Sequence, residues 1–465
     1  MRNREISPVQ VMTSVLEHIN LLQPKLNCFI ALCSQQAMEQ AKLSEQALMR
    51  GHSFGPLHGV PFSVKDIVNT QDIPTSFGAM HLRDYMPKED AVSVARLRRA
   101  GAILVGKTTT PEFGSKGFTD SPLFGRTCNA WHAQRTCGGS SGGAAVAVAA
   151  GMAPLAVATD GGGSTRIPAA CNGVVGIKQS LGVVPHNQAL DLFGNQTYVT
   201  PTTRTVSDTA LMLDVMAGSH VCDPWSLGRP RVNYVQTVRN ATDLRGKRFR
   251  YNLAPQGRKV AIEVERAFLA AIQRIEALGG EVEPFEAQLD IEPIWRTVNH
   301  TVWRTRFAEM VGQHRDSLSA TFCRQIEGAL DYSAQDYQQA MFARTRLFHT
   351  LQGWLDGVDF LLMPTLTRTA LPLDSDIFDD MDIDGDILGD IRANWYPWTM
   401  PMNMTGHPAI SVPCGFDKEQ LPIGLQIVAP LFEDAYLLQV AVCLEEAFDL
   451  LNHWPSVTSY FKENI

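Results

Sequence analysis

The chain has 465 residues, of which 45% are hydrophobic, so it is long enough and apolar enough to bury a large core. Its 40 basic and 48 acidic residues give a net charge of −8. With no long basic stretch, the sequence favours neither a nucleic-acid partner nor an anionic membrane surface.

The number of cysteines and the lengths of the apolar runs predict the cellular compartment of the protein. Nine cysteines are scattered along the chain, and an odd number in so long a sequence is typical of reduced thiols in a cytoplasmic enzyme. No apolar run follows the first few residues, so we expect no signal peptide. The longest apolar run, 144–158, contains Gly151 and Pro154 and is too short to cross a bilayer.

Helices and short apolar strands alternate along the chain. Ser7-Pro8 is a helix start, and apolar residues recur behind it at helical spacing up to Leu22. Further helices are predicted over 90–100, 144–150, 258–278, much of 291–356, and 433–447. Strands are predicted over 102–105, 154–159, 360–364, 409–413 and 424–428. This alternation predicts an α/β layer architecture, with an acidic loop of eight aspartates over 374–390.

Two turns rich in glycine and serine dominate the first half. Residues 138–143 read GGSSGG, and residues 160–168 read DGGGSTRIP after one helix–strand unit. Glycines allow positive φ and leave backbone N–H groups bare, and successive bare N–H groups bind anions. A serine at the end of such a turn has an attacking oxygen beside donors for an oxyanion. Taken alone, each turn could equally reverse the chain or bind a phosphate.

A serine nucleophile needs a base, and no histidine lies in a suitable context. Lysine can serve when burial lowers its pKa. The candidate is Lys65, which lies in the apolar stretch LHGVPFSVKD over 57–66. A lysine in such a stretch is usually an exposed edge residue, so its context alone does not settle its role.

Several long motifs in order resemble the amidase signature enzymes, and the resemblance covers nearly the whole chain. The motifs are PLHGVPFSVKD (56–66), GAILVGKTTTPEF (101–113), GGSSGG (138–143), DGGGSTRIPAACNGVVGIK (160–178), MTGHPAISVPCG (404–415) and LPIGLQIV (421–428). The resemblance implies the amidase-signature fold, a large central mixed β-sheet sandwiched by helices (α/β/α). It also implies a single domain over 1–465, with a signature core over 56–205, a helical substrate-facing segment over 258–356 and C-terminal core elements over 357–465.

The resemblance also implies roles for individual residues. The catalytic triad falls on Lys65, on Ser140 as the serine in a cis peptide, and on Ser164 as the nucleophile. The family's oxyanion hole consists of the backbone N–H groups before and at the nucleophile. Here these belong to Gly161, Gly162, Gly163 and Ser164.

Neighbouring residues are candidates for supporting roles. Asp160 and Arg166 flank the nucleophile and are expected to brace its loop rather than to react. Ser141 is expected either to polarise Ser140 or to bond a backbone group. A further set is expected either to line the substrate channel or to belong to the core: Phe113, Gly114 and Ser115.

Two other motifs are set aside. Residues 101–108 match the P-loop pattern, but a helix precedes them and Pro111 follows, and the four middle residues are apolar enough to form a buried strand. Residues 380–391 begin like an EF-hand, but Ile391 stands where a glutamate ligand is needed. The twelve histidines show no metal-ligand spacing, so we expect neither a metal nor any other cofactor.

Two functions from different classes remain. The first is a stand-alone amidohydrolase, monomeric or homodimeric, acting on small amides, aryl amides or carbamates. The second is the amidase-like subunit of a tRNA-dependent amidotransferase; a non-enzymatic scaffold is remote because all triad positions are filled. The substrate pocket is expected to come from residues 186–200, 291–345 and 366–400. Six aromatic residues there indicate either an apolar pocket or ordinary core: Trp295, Trp303, Phe307, Trp395, Tyr396 and Trp398.

Overall fold

A computed structural model describes residues 1, 3, 5–241 and 243–456, and eleven strands of that part form one mixed sheet. The strands of the described part are β1 (Phe29–Leu32), β2 (Pro61–Lys65), β3 (Ile103–Thr108), β4 (Asp120–Ser121), β5 (Gly125–Arg126), β6 (Leu155–Asp160), β7 (Val175–Lys178), β8 (Tyr198–Thr203), β9 (Arg248–Tyr251), β10 (Glu281–Pro284), β11 (Phe360–Pro364), β12 (Asp380–Ile383), β13 (Asp386–Asp390), β14 (Ala409–Phe416) and β15 (Pro422–Val428).

Helices connect most of these strands. The α-helices of the described part are α1 (Pro8–Leu26), α2 (Ser34–Met49), α3 (Val92–Arg99), α4 (Gly142–Ala149), α5 (Arg166–Asn172), α6 (Val206–Met216), α7 (Tyr234–Arg239), α8 (Ile262–Ala277), α9 (Glu292–His314), α10 (Ala320–Glu327), α11 (Ala334–Leu355), α12 (Ile391–Trp395), α13 (Met400–Thr405) and α14 (Asp434–Phe448). Short 3-10 helices lie at Met80–Leu82, Glu112–Gly114, Pro224–Ser226, Pro255–Gly257 and Arg315–Ser317.

The sheet mixes parallel and antiparallel neighbours. Its strand order is β1-β3-β2-β6-β8-β7-β14-β15-β11-β9-β10. Strands β3, β2 and β6 run parallel to one another, as do β11, β9 and β10, while the strands between β6 and β11 pair antiparallel. The sheet therefore places the ends of β2 and β6 side by side, and the glycine-serine turn over 160–168 begins where β6 ends.

Alternation along the strands divides the core into two layers. Phe62 and Val64 of β2 lie in one buried cluster, which also contains apolar residues of α3, α6, α8 and α14. Ala156 and Ala158 of β6 lie in a cluster on the opposite face, with residues of α1, α2 and α4. Since successive strand residues point to opposite faces, helices cover both sides of the sheet. The predicted α/β/α sandwich is confirmed.

Most predicted elements are present with shifted ends. The strand expected over 102–105 runs over 103–108, so it includes Lys107 of the P-loop-like pattern. The Lys107 ammonium is buried and donates to the Val68 carbonyl at 2.6 Å and to the hydroxyls of Thr70 and Thr75 at 3.0 and 2.7 Å. This lysine therefore fastens a neighbouring loop to the sheet.

The acidic loop predicted over 374–390 is wrong in its second half. Strands β12 and β13 form a hairpin there, and Asp384 and Gly385 both have positive φ at its two-residue turn. Met381 and Ile383 alternate with aspartates and are fully buried. The aspartate-glycine pair between alternating apolar residues is a hairpin signal, and the density of aspartates masked it.

Helix α4 fits against the sheet because its side chains are small. All its residues are buried, as the run of alanines predicted. A Cβ built on Gly142 would lie 2.3 Å from the Thr119 hydroxyl, and one on Gly143 would lie 2.4 Å from that of Thr109. The first turn of α4 is therefore packed closely against Thr109 and Thr119.

We expect Ala147→Leu in α4 to destabilise the protein by about 1–3 kcal/mol, because no room exists for the added atoms. The measurement is urea unfolding followed by circular dichroism. Ala270→Leu, at an exposed position of α8, is the matched control and should change stability by less than about 0.5 kcal/mol. Equal stability of the two variants would contradict the close packing of α4.

Candidate active site

A buried lysine lies at the centre of the site. Lys65 ends β2 on the face opposite to Val64, so it points towards α4 rather than into the cluster that holds Val64. Its side chain is fully buried. The Nζ atom lies within hydrogen-bond distance of three hydroxyls: Ser140 Oγ at 2.7 Å, Ser141 Oγ at 2.8 Å and Thr159 Oγ1 at 2.9 Å. The structure thus brings Lys65 and Ser140 into direct contact.

The surroundings of Lys65 favour its uncharged form. In the described part of the chain, no carboxylate lies within 4.0 Å of its amine. Burial lowers the pKa of Lys65 well below its ordinary range, and the charge of Asp160 opposes this only in part. The amine is therefore poised to accept a proton.

The turn before α4 presents Ser140 and Ser141. The Gly139–Ser140 peptide bond is cis, and both serines are 1% exposed. The Ser141 Oγ accepts from Lys65 and donates to the Thr159 carbonyl at 3.0 Å. Of the two alternatives for Ser141, the structure supports the bond to a backbone group. The Ser141 N–H also donates to the Ser164 carbonyl at 3.1 Å, which joins the two turns.

Ser164 is the accessible serine of the site. It is half-buried, and it lines a cavity together with Ser140, Gly161 and Gly162. Among the described residues, no acceptor lies within hydrogen-bond distance of the N–H groups of Gly161, Gly162 or Ser164. These three N–H groups are available to a ligand in the cavity.

Gly163 differs from its neighbours. Its N–H donates to Asp160 Oδ1 at 2.7 Å, so this N–H is already satisfied within the protein. Its φ is +121°, and a Cβ there would lie 2.3 Å from the Thr399 hydroxyl. Glycine is therefore required at this position by the backbone conformation and by the close approach of Thr399. The available N–H groups belong to the residues on either side.

A buried ion pair fixes the turn that carries Ser164. Both side chains of the Asp160–Arg166 pair are fully buried, with Arg166 Nε and Nη2 each 3.0 Å from a different carboxylate oxygen. Burial alone would raise the pKa of Asp160, but Arg166 and the hydrogen bond from Asn403 hold it well below its ordinary range. Arg166 also donates to Gln426 at 2.8 Å and to Asn403 at 2.7 Å. This arrangement fits the bracing role expected for the pair.

The cavity has a volume of about 160 Å³, and aromatic side chains form part of its wall. Phe113, Gly114 and Ser115 all line it, and the Ser115 Oγ is buried with no partner among the described residues. Phe113 has φ +52°, which turns this loop towards Ser140. A Cβ on Gly114 would lie 3.1 Å from the Ser140 Oγ. These three residues therefore belong to the cavity wall rather than to the core.

The six aromatic residues divide between the cavity and the core. Trp295, Trp303 and Tyr396 line the cavity. Phe307 packs behind Phe113 with ring centroids 4.3 Å apart, whereas two other aromatic residues are fully buried elsewhere: Trp395 and Trp398. All three segments predicted to form the pocket contribute to its wall.

Sequence reasoning missed several contributors to the site. Thr159, the third hydroxyl on Lys65, gave no separate signal because it ends an ordinary strand pattern. Asn403 directly precedes the motif over 404–415, and Gln426 lies inside the motif over 421–428. Those two amides complete the hydrogen bonds of Arg166. Their distance in sequence from Arg166 hid the connection.

The described residues contain no cluster of metal ligands, no disulfide and no helix that could span a membrane. Within the described residues, no group of three or more histidine, cysteine, aspartate or glutamate side chains is arranged to hold a metal ion. All nine cysteines are free. None of the described helices is both long and apolar enough to traverse a membrane.

Comparisons with known proteins agree with this geometry. The Amidase family model matches residues 10–438. An acylamidase of Rhodococcus erythropolis is 34% identical over 452 residues, covering 95% of this chain and 92% of the relative. One subunit of a glutamyl-tRNA(Gln) amidotransferase from a Cyanothece species is 32% identical, covering 96% and 95% of the two chains. The crystal structure of a bacterial aryl acylamidase of the amidase signature (AS) enzymes family superposes with a TM-score of 0.88 at 28% identity, covering 99% and 96%.

We expect Asp160→Asn to cost about 3–5 kcal/mol of stability, because it leaves the Arg166 guanidinium buried without its counter-charge. Glu327→Gln, which removes the partner of the exposed Arg315, is the matched control and should leave the stability close to that of the wild type. Urea unfolding at neutral pH measures both.

The same pair predicts a pH dependence. Because the folded pKa of Asp160 is depressed, its contribution to stability is present above the ordinary pKa of 3.8 and is lost as pH falls towards the folded value. The wild type should therefore lose stability below about pH 4 more steeply than Asp160→Asn. Equal slopes, or a loss in Asp160→Asn no larger than in the control, would contradict the bracing role.

Proposed function

The chain belongs to the amidase family, and we propose that it hydrolyses the C–N bond of a small amide through Ser164, Ser140 and Lys65. The observation that carries this proposal is the contact of the buried Lys65 amine, whose pKa burial lowers, with Ser140; beside it lie the accessible Ser164 and N–H groups that make no hydrogen bond within the described residues. A base, a proton relay, a nucleophile and oxyanion donors are the groups that acyl transfer needs.

The reaction begins with attack of the Ser164 Oγ on the substrate carbonyl. The proton of Ser164 passes to the Ser140 Oγ, while the proton of Ser140 passes to the Lys65 amine. The negative charge that develops on the carbonyl oxygen accepts hydrogen bonds from available backbone N–H groups of the turn over 161–164. Gly163 is not one of these donors, because its N–H is bonded to Asp160.

Cleavage requires that the proton travel back. The Lys65 ammonium returns a proton through Ser140 to the leaving nitrogen, so the C–N bond breaks and an amine departs. The acyl group stays on Ser164 as an ester. Water then attacks this ester, losing its proton along the same relay, and the acid leaves with Ser164 restored.

The cavity wall supports a substrate with an apolar or aromatic group. Phe77 and Phe113 line one part of it, and Trp295, Trp303 and Tyr396 line another. The unpartnered Ser115 Oγ offers a hydrogen bond to a polar atom of the substrate. A carbamate presents the same carbonyl geometry as an amide, so aryl carbamates belong to the same proposed substrate class.

The second candidate is a role within a tRNA-dependent amidotransferase. It is supported by the 32% identity with one subunit of glutamyl-tRNA(Gln) amidotransferase. The two identities, 34% and 32%, are too close to separate the candidates. The aromatic wall favours the stand-alone amidase, because the amide of glutamine has no apolar group to cover it.

The purified chain alone should hydrolyse para-nitroacetanilide, and Ser164→Ala should lower kcat by several orders of magnitude while the protein stays folded. Ser53→Ala, at an exposed serine, is the control and should keep full activity. A fluorophosphonate should add its mass to the peptide that contains Ser164. Labelling at Ser140 would contradict the assignment of the nucleophile, and activity only on addition of partner subunits would favour the amidotransferase.

Lys65→Ala should lower kcat/KM for an anilide by about 10²–10⁴, and for a matched ester much less, because an alkoxide leaves with little need of a proton. The base is active only above its own pKa, which burial lowers. The wild-type rate should therefore fall as pH drops through that pKa, giving a plateau on the neutral-to-alkaline side.

Lys107→Ala separates this role from a structural one. Lys107 is equally buried but lies outside the cavity wall. Its loss should lower the free energy of unfolding while leaving the ratio of anilide to ester activity as in the wild type. Near-wild-type anilide turnover in Lys65→Ala would refute the lysine as base.

A further inference from the structure

The charges on the cavity wall are all of one sign. Among the described residues, three cationic side chains line the cavity, Lys116, Arg306 and Arg392, and no aspartate or glutamate does. His186 also lines it, but burial lowers its pKa to about 4, so it is neutral at physiological pH. The remaining wall is aromatic, aliphatic or uncharged and polar.

Two of the three cations have anionic partners behind the wall. The Lys116 ammonium lies 2.7 Å from Asp120 Oδ2. Arg392 is buried, lies 3.8 Å from Glu292 and donates to the His300 ring at 3.1 Å and to Gln325. The charges of these two residues are therefore offset within the protein.

Arg306 has no such partner. Within the described residues, no carboxylate lies within 4.0 Å of its guanidinium, and no hydrogen bond from it is formed. Its nearest ring is that of the adjacent Phe307, whose centroid lies 4.7 Å from the guanidinium carbon. Arg306 is exposed to solvent while it lines the cavity, so it stands at the mouth. The partial burial of its guanidinium lowers its pKa, with no carboxylate opposing the shift.

We propose that Arg306 binds a carboxylate carried by the substrate, so that the enzyme prefers amides bearing an anionic group away from the scissile bond. This inference rests on the proposed amide hydrolysis at Ser164. A guanidinium presents a planar fork of donors that matches a carboxylate, and it forms charge-assisted hydrogen bonds. The aromatic side chains that line the same cavity take up the apolar part of the molecule.

The carboxylate has two possible sources, the acyl part or the leaving amine, and matched substrates distinguish them. For the acyl part, glutaryl para-nitroanilide is compared with the neutral hexanoyl para-nitroanilide. For the leaving amine, para-acetamidobenzoate is compared with para-isopropylacetanilide. Within each pair the two molecules are similar in length, and one carries a carboxylate where the other carries an alkyl group.

The anionic member of one pair should have a kcat/KM at least about tenfold above that of its neutral partner, as expected of a charge-assisted hydrogen bond. Arg306→Gln should remove this preference mainly through KM, by lowering kcat/KM for the anionic substrate much more than for its neutral partner. Arg306→Glu should disfavour the anionic substrate further. Added salt should weaken the preference in the wild type, because the cavity mouth is open to solvent.

Arg304→Gln is the matched control. It removes the same charge from the same helix, but Arg304 does not line the cavity and instead donates to the Ile326 carbonyl. This variant should retain the wild-type preference. If Arg304→Gln loses the preference as Arg306→Gln does, the overall positive charge of α9 is responsible for the preference. The assignment to Arg306 is then overturned.

Failure of this inference is distinguishable from failure of the proposed function. Hydrolysis of the neutral anilides that disappears in Ser164→Ala supports the proposed function regardless of Arg306. Equal kcat/KM within both pairs in the wild type, or a preference that survives in Arg306→Gln, would overturn the role of Arg306 alone. No hydrolysis of any anilide would overturn both.

Discussion

The burial of Lys65 without a carboxylate contact is the constraint on which the site depends. A buried ammonium with only hydroxyl partners loses more solvation than those partners restore, so the uncharged amine is favoured. A carboxylate at contact distance would reverse this balance. The side chains in contact with its amine are therefore uncharged hydroxyls, and the small residues of α4 allow the serine turn to approach closely enough.

Asp160 carries the charge that acts on Lys65 within the described residues, and Arg166 offsets this charge. Asp160 raises the pKa of Lys65, but its carboxylate oxygens are bonded to Arg166 and to Asn403. The same carboxylate also accepts the N–H groups of Gly163 and Thr165. Asp160 thus shapes the turn that carries the nucleophile while its charge is largely offset by Arg166. The Asp160–Arg166 pair therefore holds the turn in place and also limits the effect of the Asp160 charge on the pKa of Lys65.

The sequence contained much of this site because its key residues lie in long continuous motifs. Lys65 ends an apolar strand and both serines lie in glycine-rich turns, but it was the resemblance of these motifs to the amidase signature enzymes that assigned the three residues to one site. What escaped prediction depends on contacts across the sheet. Thr159 reaches Lys65 only because β2 and β6 are neighbours, and the engaged N–H of Gly163 depends on a side-chain orientation that no pattern encodes.

The layers of the fold were predictable from the sequence, whereas the hairpin over 380–390 was not. The alternation of helices and short apolar strands predicted α/β layers, and the resemblance to the amidase signature enzymes implied the sandwich. The hairpin over 380–390 was misread because aspartates, which usually mark loops, occupy its exposed positions, while Met381 and Ile383 fill the buried ones. Composition averaged over the segment obscured an alternation that the individual residues display.

The cationic side chains of the cavity wall affect the protonation state of Lys65 when an anionic substrate binds. An anionic substrate brought alone into the cavity would stabilise the ammonium form of Lys65 and so remove the base from its active state. Arg306 lines the same cavity, and a carboxylate paired with it forms a neutral unit whose field at Lys65 is much weaker than that of a free anion. The residue that would select the substrate would thereby also protect the protonation state on which its cleavage depends. Arg306 lies on α9 and Lys65 on β2. The bound substrate would therefore link the charge of Arg306 to the pKa of Lys65, without direct contact between the two side chains.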